Sequence, residues 1–264
     1  MKIPGAVIGD IVGSKYEFHN HRSKEFKFID ADNFFTDDSV MTVAVAHVLT
    51  EYGESDDAEL TEATVRLMCE YGRRFPHAGW GSMFSYWLNV RPVPYGSYGN
   101  GAAMRISPVG WYARSEEEVR RLSRIITCVS HNHPEGIKGA ECTAMAVFDA
   151  RMGKSKEEIL ERVSEYYPGI SCLSCDELRK HYDFDVTCQG SLPPAMVCFS
   201  EGVSFEDTVR NVISIGGDSD TLAAIAGAVA DVYYGIPESV MAEAVKLLPA
   251  DFVTVLDRFF EKVI

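Results

Sequence analysis

The sequence predicts an all-α protein, a compact orthogonal bundle of about ten helices packed at mixed angles. Three observations carry this. Apolar residues recur at helical spacing through most of the 264 residues. No run of alternating β-branched residues reads as a strand. Segments rich in glycine and alanine, such as Thr221 to Tyr234, let neighbouring backbones approach closely.

The elements follow in order. Gly9 and Gly13, four apart, suit close packing of a first helix that carries Glu17 near its end. Asp38 to Leu49 is apolar almost all round, as a buried helix is. Ala58 to Tyr71, Glu116 to Thr127 and Lys154 to Tyr166 carry charge on one side only, as surface helices do. Trp80, Phe84, Tyr86 and Trp87 read as core aromatics. Asn89 to Gly101, with Pro92, Pro94, Gly96 and Gly99, is too rich in turn residues for a helix. Such a loop on a rigid scaffold is a common place for ligand contacts. Gly139 to Ala150, Glu238 to Leu248 and Phe252 to Val263 are again helical. With no repeat and no linker, residues 1–264 are expected to form a single domain.

Composition narrows the function. Lysine and arginine number 25 against 39 aspartates and glutamates, a formal charge of −14. That argues against a nucleic-acid backbone or an anionic membrane as partner, because such binders present a basic face. No stretch reaches the roughly 18 apolar residues needed to cross a bilayer. The first residues lack the pattern of a signal peptide, and seven cysteines suit reduced thiols in a cytoplasm. Cys172 and Cys175 form a C-x-x-C pair with His181 and Cys188 downstream, but the spacing matches no common zinc site, and plain thiols are the better reading.

Two acidic clusters carry the chemistry. Thr36-Asp37-Asp38 precedes the buried helix, and Gly217-Asp218-Ser219-Asp220-Thr221 precedes the alanine-rich one. Each alone reads as a helix cap. Together they supply four carboxylates and two threonine hydroxyls, more than caps need. Hard divalent cations take about six oxygen ligands each. Without a cation, four crowded carboxylates repel one another and some stay protonated.

The order G-D-x-x-G-S-x-x-E-F from Gly9, F-T-D-D-S from Phe35, G-N-G-A-A-M-R from Gly99 and G-G-D-S-D-T from Gly216 closely resembles the ADP-ribosylglycohydrolase family, including its dinitrogenase reductase-activating members. The resemblance runs from Gly5 to about Pro237, nearly the whole chain. It implies that family's all-helical fold and an enzyme that hydrolyses the ribose C1″ bond of ADP-ribosyl conjugates and releases ADP-ribose. It implies two Mg2+ or Mn2+ ions at Thr36, Asp37, Asp38, Asp218, Asp220 and Thr221, with Glu17, Asp37 and Asp218 at the reacting centre. Glu17 matches the glutamate that moves a proton or activates water. Ser97, Tyr98, Gly99, Asn100 and Gly101 match the loop that holds the ribose and pyrophosphate. His131 matches a histidine facing the same ligand. For His133 a capping role is the better reading, and Arg105 either adds charge at the pyrophosphate or forms an internal ion pair. Ser219 stands where many members have threonine. The favoured substrate is an ADP-ribosylated protein side chain, arginine first, although no Asp or Glu lies between Arg73 and Gly101 to face a guanidinium. The other readings are a small ADP-ribose or nucleotide-sugar conjugate, or a non-catalytic ADP-ribose-binding member.

Overall fold

A computed structural model describes residues 2–264, and among them all regular structure is helical apart from one isolated antiparallel bridge between Gly99 and Thr187. The chain begins with α1 (Gly5–Gly13), wholly buried, and α2 (Asp37–Tyr52), buried from Asp38 to Leu49 apart from half-buried His47. α3 (Asp57–Arg74) packs across α2, capped by the Asp56 carboxylate. Then come α4 (Ser82–Asn89), the single turn α5 (Gly101–Met104) and α6 (Ser107–Tyr112). α7 (Glu116–Cys128) and α8 (Pro134–Arg151) pair with each other. α9 (Lys156–Tyr166) starts with a full capping box, Ser155 and Glu158 satisfying each other's backbone.

The second half holds α10 (Cys175–His181), α11 (Cys188–Glu201), α12 (Phe205–Ile215), α13 (Ser219–Tyr234), α14 (Glu238–Val245) and α15 (Ala250–Val263). More segments appear than the ten or so expected, because α4, α6, α10, α11 and α12 were not legible as helices. α11 contains Pro193 and Pro194 after Gly190 and Ser191, a local signature of a loop. Burial of Leu192, Ala195, Met196 and Phe199 outweighs that local preference. The expected aromatics divide in α4: Phe84 and Trp87 are buried, while Tyr86 stays 54% exposed.

The pairing that positions the functional residues is α1 against α13, antiparallel and very close. A Cβ on Gly5 would fall on the Gly227 carbonyl, one on Gly9 on the Ala223 carbonyl and one on Gly13 against Asp220. Only glycine permits this approach. The start of α13, with Asp218 and Asp220, thereby comes beside the end of α1 and the Glu17 that follows it. At the far end, Asp231 accepts the Gly5 N–H at 3.0 Å and faces Lys2 Nζ at 3.6 Å.

Candidate active site

Thr36 is the N-cap of α2, its hydroxyl accepting the Asp38 N–H at 3.3 Å. A third residue fixes this turn, and sequence reasoning gave it no role. Asp10, buried in α1, accepts the Thr36 N–H at 2.9 Å, the Thr36 hydroxyl at 2.7 Å and the Ser39 N–H at 3.0 Å. The Ser39 hydroxyl also donates to it. Burial raises the Asp10 carboxyl to about 6, partly offset by these donors. Its signal in the sequence was the Gly9-Asp10 pair, ahead of the metal-type motif.

The second cluster is not a cap. Asp218 stands at the N-cap of α13 without bonding any backbone N–H of the helix. Its Oδ2 instead accepts Asn100 Nδ2 at 2.7 Å, and the same Asn100 amide donates to Ser191 Oγ at 2.9 Å. Asp220 Oδ1 accepts the Thr221 N–H at 3.0 Å. Between the clusters, Asp38 Oδ2 faces the Thr221 hydroxyl at 3.3 Å and the Thr36 hydroxyl at 3.5 Å, while Asp38 Oδ1 is buried with no partner.

Oxygen atoms of Glu17, Asp218 and Asp220 lie within 4.8 Å of one another. Among the described residues, no lysine or arginine forms an ion pair with Asp37, Asp38, Asp218 or Asp220. The electrostatics follow. Burial first, then the neighbouring carboxylates, hold Asp37, Asp38 and Asp220 well above the ordinary range. Burial raises Asp218 to about 6, and burial with Asp220 and Asp10 raises Glu17 to about 8. An orphaned buried carboxylate oxygen inside an all-oxygen cluster of excess negative charge fits a divalent cation. Thr36 borders this cluster, its hydroxyl meeting Asp10 Oδ1 at 2.7 Å and Asp38 Oδ2 at 3.5 Å.

These groups floor a cavity of about 460 Å3. Glu17, Asp37, Asp38, Asp218, Asp220 and Thr221 line it with Ser97, Gly99, Asn100, Gly101 and His131, so sequence-distant segments meet as expected. The loop is pinned opposite by the start of α11: Asn100 N–H donates to Val186 O at 2.8 Å, and Cys188 N–H to Tyr98 O at 2.9 Å. Tyr98 departs from the group. Its ring is 46% exposed, outside the cavity lining, and lies against His133 with centroids 5.0 Å apart. His133 caps α8, accepting the Glu135 N–H at 3.1 Å.

Arg105 also lines the cavity and is 1% exposed. Of the two roles suggested by the sequence, the internal ion pair is not formed among the described residues; Arg105 instead brings its charge to the cavity wall, and its Nη2 donates to Ser130 Oγ at 2.8 Å. Burial lowers its pKa to about 10. At the mouth, Phe18 and Phe184 stack with centroids 6.0 Å apart, 75% and 44% exposed. The C-x-x-C thiols diverge, Cys172 exposed and Cys175 buried 3.7 Å from the Cys198 sulfur. Among the described residues no helix is long and apolar enough to cross a membrane.

Comparison with known proteins agrees with this geometry. The ADP-ribosylglycohydrolase family model matches residues 3–263. The chain is 28% identical to ADP-ribosylhydrolase ARH3 of Mus musculus, covering 90% of this chain and 84% of that one. It is 24% identical to ADP-ribosylarginine hydrolase Tri1 of Pseudomonas putida, covering 88% and 69%. Among solved structures, an ADP-ribosylglycohydrolase-related protein complex superposes with a TM-score of 0.69 at 20% identity, covering 98% of this chain and 95% of that one, which shows the fold. From the match along nearly its whole length, the chain belongs to the ADP-ribosylglycohydrolase family and is a glycohydrolase.

Proposed function

We propose that the protein hydrolyses the ribose C1″ bond of ADP-ribosylated protein side chains, arginine first, in a metal-dependent reaction that releases ADP-ribose. The observation that carries this is the meeting of Glu17, Asp218 and Asp220 on the floor of the cavity, beside the orphaned oxygen of Asp38. Thr36, Asp37, Asp38, Asp218, Asp220 and Thr221 would hold two divalent cations, Mg2+ or Mn2+. When bound, such ions act as a template for the sugar hydroxyls and lower the pKa of a coordinated water.

The chain's own groups do the rest. The bond breaks through an oxocarbenium-like state, so the sugar must be held in one orientation while water approaches a defined face. Glu17, half-buried beside the reacting position, moves the proton. Ser97, Gly99, Asn100 and Gly101 hold the ribose and pyrophosphate, Gly101 through the backbone N–H at the start of α5. Tyr98 acts at the outer edge of the loop, where its exposed face suits the distal part of the ligand.

For the leaving group, the stacked Phe18 and Phe184 rings support arginine. They stand at the mouth next to Glu17, and a planar guanidinium packs well on aromatic faces. This supplies recognition without the carboxylate missing between Arg73 and Gly101. The name of the Tri1 relative points the same way. The reading takes residues 1–264 as one domain, supported by a continuous buried cluster from Ile3 to Phe260. It places the protein in a reducing cytoplasm, supported by seven free thiols.

The test is release of ADP-ribose from an ADP-ribosyl-arginine protein, an ADP-ribosyl-serine peptide and a small ADP-ribosyl conjugate, each with Mg2+, with Mn2+ and after EDTA. Release from the arginine conjugate that EDTA abolishes is expected. Faster release from serine or from the small conjugate would overturn the leaving-group assignment. EDTA-resistant release would overturn metal dependence.

A further inference from the structure

Arg105 is a buried guanidinium with no carboxylate in ion-pair contact among the described residues, and its Nε lacks a partner. Charge buried in this way is costly and calls for a reason beyond packing. Its Nη2 reaches Ser130 Oγ at 2.8 Å and lies 3.4 Å from His131 Nδ1, while Ser130 Oγ lies 2.8 Å from that same nitrogen. A guanidinium only donates. Ser130 Oγ accepts from Arg105, and because the same Nη2 donor also faces His131 Nδ1 at 3.4 Å, the arrangement that opposes no two donors is the one in which Ser130 directs its own proton at Nδ1. The ring's one proton then sits on Nε2. That edge faces the ligand loop: a Cβ on Gly101 would lie 3.3 Å from Nε2, and one on Gly99 3.6 Å.

We propose that Arg105 is a positioning residue, which through Ser130 holds His131 as the neutral Nε2–H tautomer and aims that N–H into the cavity as a fixed donor to an anionic ligand oxygen. This rests on the reading that the cavity takes ADP-ribose, and it names the device that orients one of its contacts. Protonation would put a second N–H on Nδ1, directly against the donors of Arg105 and Ser130. Burial and the adjacent guanidinium accordingly hold the imidazole well below its ordinary pKa. Phe84 and Tyr95 pack on the ring, with centroids 6.0 and 5.8 Å away, and fix its plane. The guanidinium itself rests over Phe84, 5.4 Å from the ring centre.

Nitrogen-15 NMR of the histidine rings at neutral pH tests this on the full chain, since the two ring nitrogens report the tautomer directly. In the unaltered protein His131 is expected as Nε2–H. In Ser130→Ala and Arg105→Lys the His131 signal should move toward a mixture of tautomers, and ADP-ribose binding should weaken about tenfold, as for the loss of one charge-assisted contact. Both substitutions keep most of the buried volume, and Arg105→Lys keeps the charge. An Nδ1–H or doubly protonated His131 in the unaltered protein would overturn the proposal. So would an unchanged tautomer in both variants. A protein that shows the expected spectra but binds no ADP-ribose would uphold the hydrogen-bond relay and overturn the ligand reading instead.

Discussion

Asp10 and Thr36 are joined twice, the one carboxylate taking both the backbone N–H and the hydroxyl of the other, at 2.9 and 2.7 Å. The first turn of α2 therefore hangs from α1, and the direction of the Asp37 and Asp38 side chains depends on a residue that itself stays behind the cavity. Asp10→Ala leaves the Thr36 and Ser39 N–H groups and both hydroxyls without their buried acceptor. It is expected to destabilise the protein by about 3 kcal/mol or more. The loss should be equally large in EDTA, which denaturant unfolding with and without Mn2+ would show. A loss confined to the metal-loaded protein would place Asp10 among the ligands instead.

Asp220→Asn should have the opposite effect in EDTA. Asp220 is buried among carboxylates and held well above its usual pKa, and an amide keeps the acceptor for the Thr221 N–H while removing the charge. The metal-free variant is expected to be more stable than the parent, by roughly 1–2 kcal/mol. The rise in melting temperature on adding Mg2+ or Mn2+ should vanish along with turnover. A metal-free variant less stable than the parent would show that the cluster is held together some other way.

Glu17→Gln separates chemistry from binding. The side chain is not tied into the core, and its amide equivalent keeps the shape. Turnover should fall by about a hundredfold or more, the range of a lost acid–base group, with ADP-ribose affinity retained in calorimetry. An unchanged rate would remove Glu17 from the reaction.

The pH dependence of stability has a contributor remote from the cavity. Asp231 is raised by burial to about 6, against a usual 3.8, despite the Gly5 N–H and Lys2 that face it. A carboxyl with a raised folded pKa binds its proton more tightly in the native state. Its favourable contribution is therefore complete below pH 3.8 and is lost as pH rises through 6. Relative to Asp231→Asn, which does not titrate, the parent should lose about 3 kcal/mol across that window. Urea unfolding of both proteins between pH 4 and 7 checks it, and a constant difference would contradict the assignment.

Gly9→Ala places a methyl on the Ala223 carbonyl, so α1 and α13 must separate. A cost of about 2–3 kcal/mol is expected from overpacking, together with weaker metal binding as Glu17 moves away from Asp218 and Asp220. Gly153→Ala serves as a control: it sits at a positive φ with open space around it and should cost stability alone.

How much of this the sequence disclosed differs from residue to residue. The acidic clusters were visible because Asp37, Asp38, Asp218 and Asp220 fall in short, ordered motifs at helix starts. Among the long helices, α3 and α7 were visible through periodicity, α2 through an apolar run and α13 through its alanine and glycine content. α11 was hidden by Pro193 and Pro194, whose local bias is overridden by burial. Asp10 received no role and Arg105 only two alternatives, because their contacts lie 26 residues from Asp10 and 25 from Arg105, which no local pattern encodes. Asn100 was read as a ligand contact only; in the structure it also anchors Asp218, coupling the loop to the acidic cluster.

The α1–α13 pairing has a consequence for how the molecule is made. Gly5 and Asp231, bonded through backbone and carboxylate, are separated by 226 positions. A chain emerging from the ribosome holds Asp10 and Glu17 near its beginning long before Asp218 and Asp220 have been synthesised. Helices in between can form and pair early, since their contacts are local, but the acidic cluster assembles only when nearly the whole polypeptide is available. The acidic floor of the cavity is thus completed late, once the start of α13 has been made, and a chain terminated before it lacks Asp218 and Asp220.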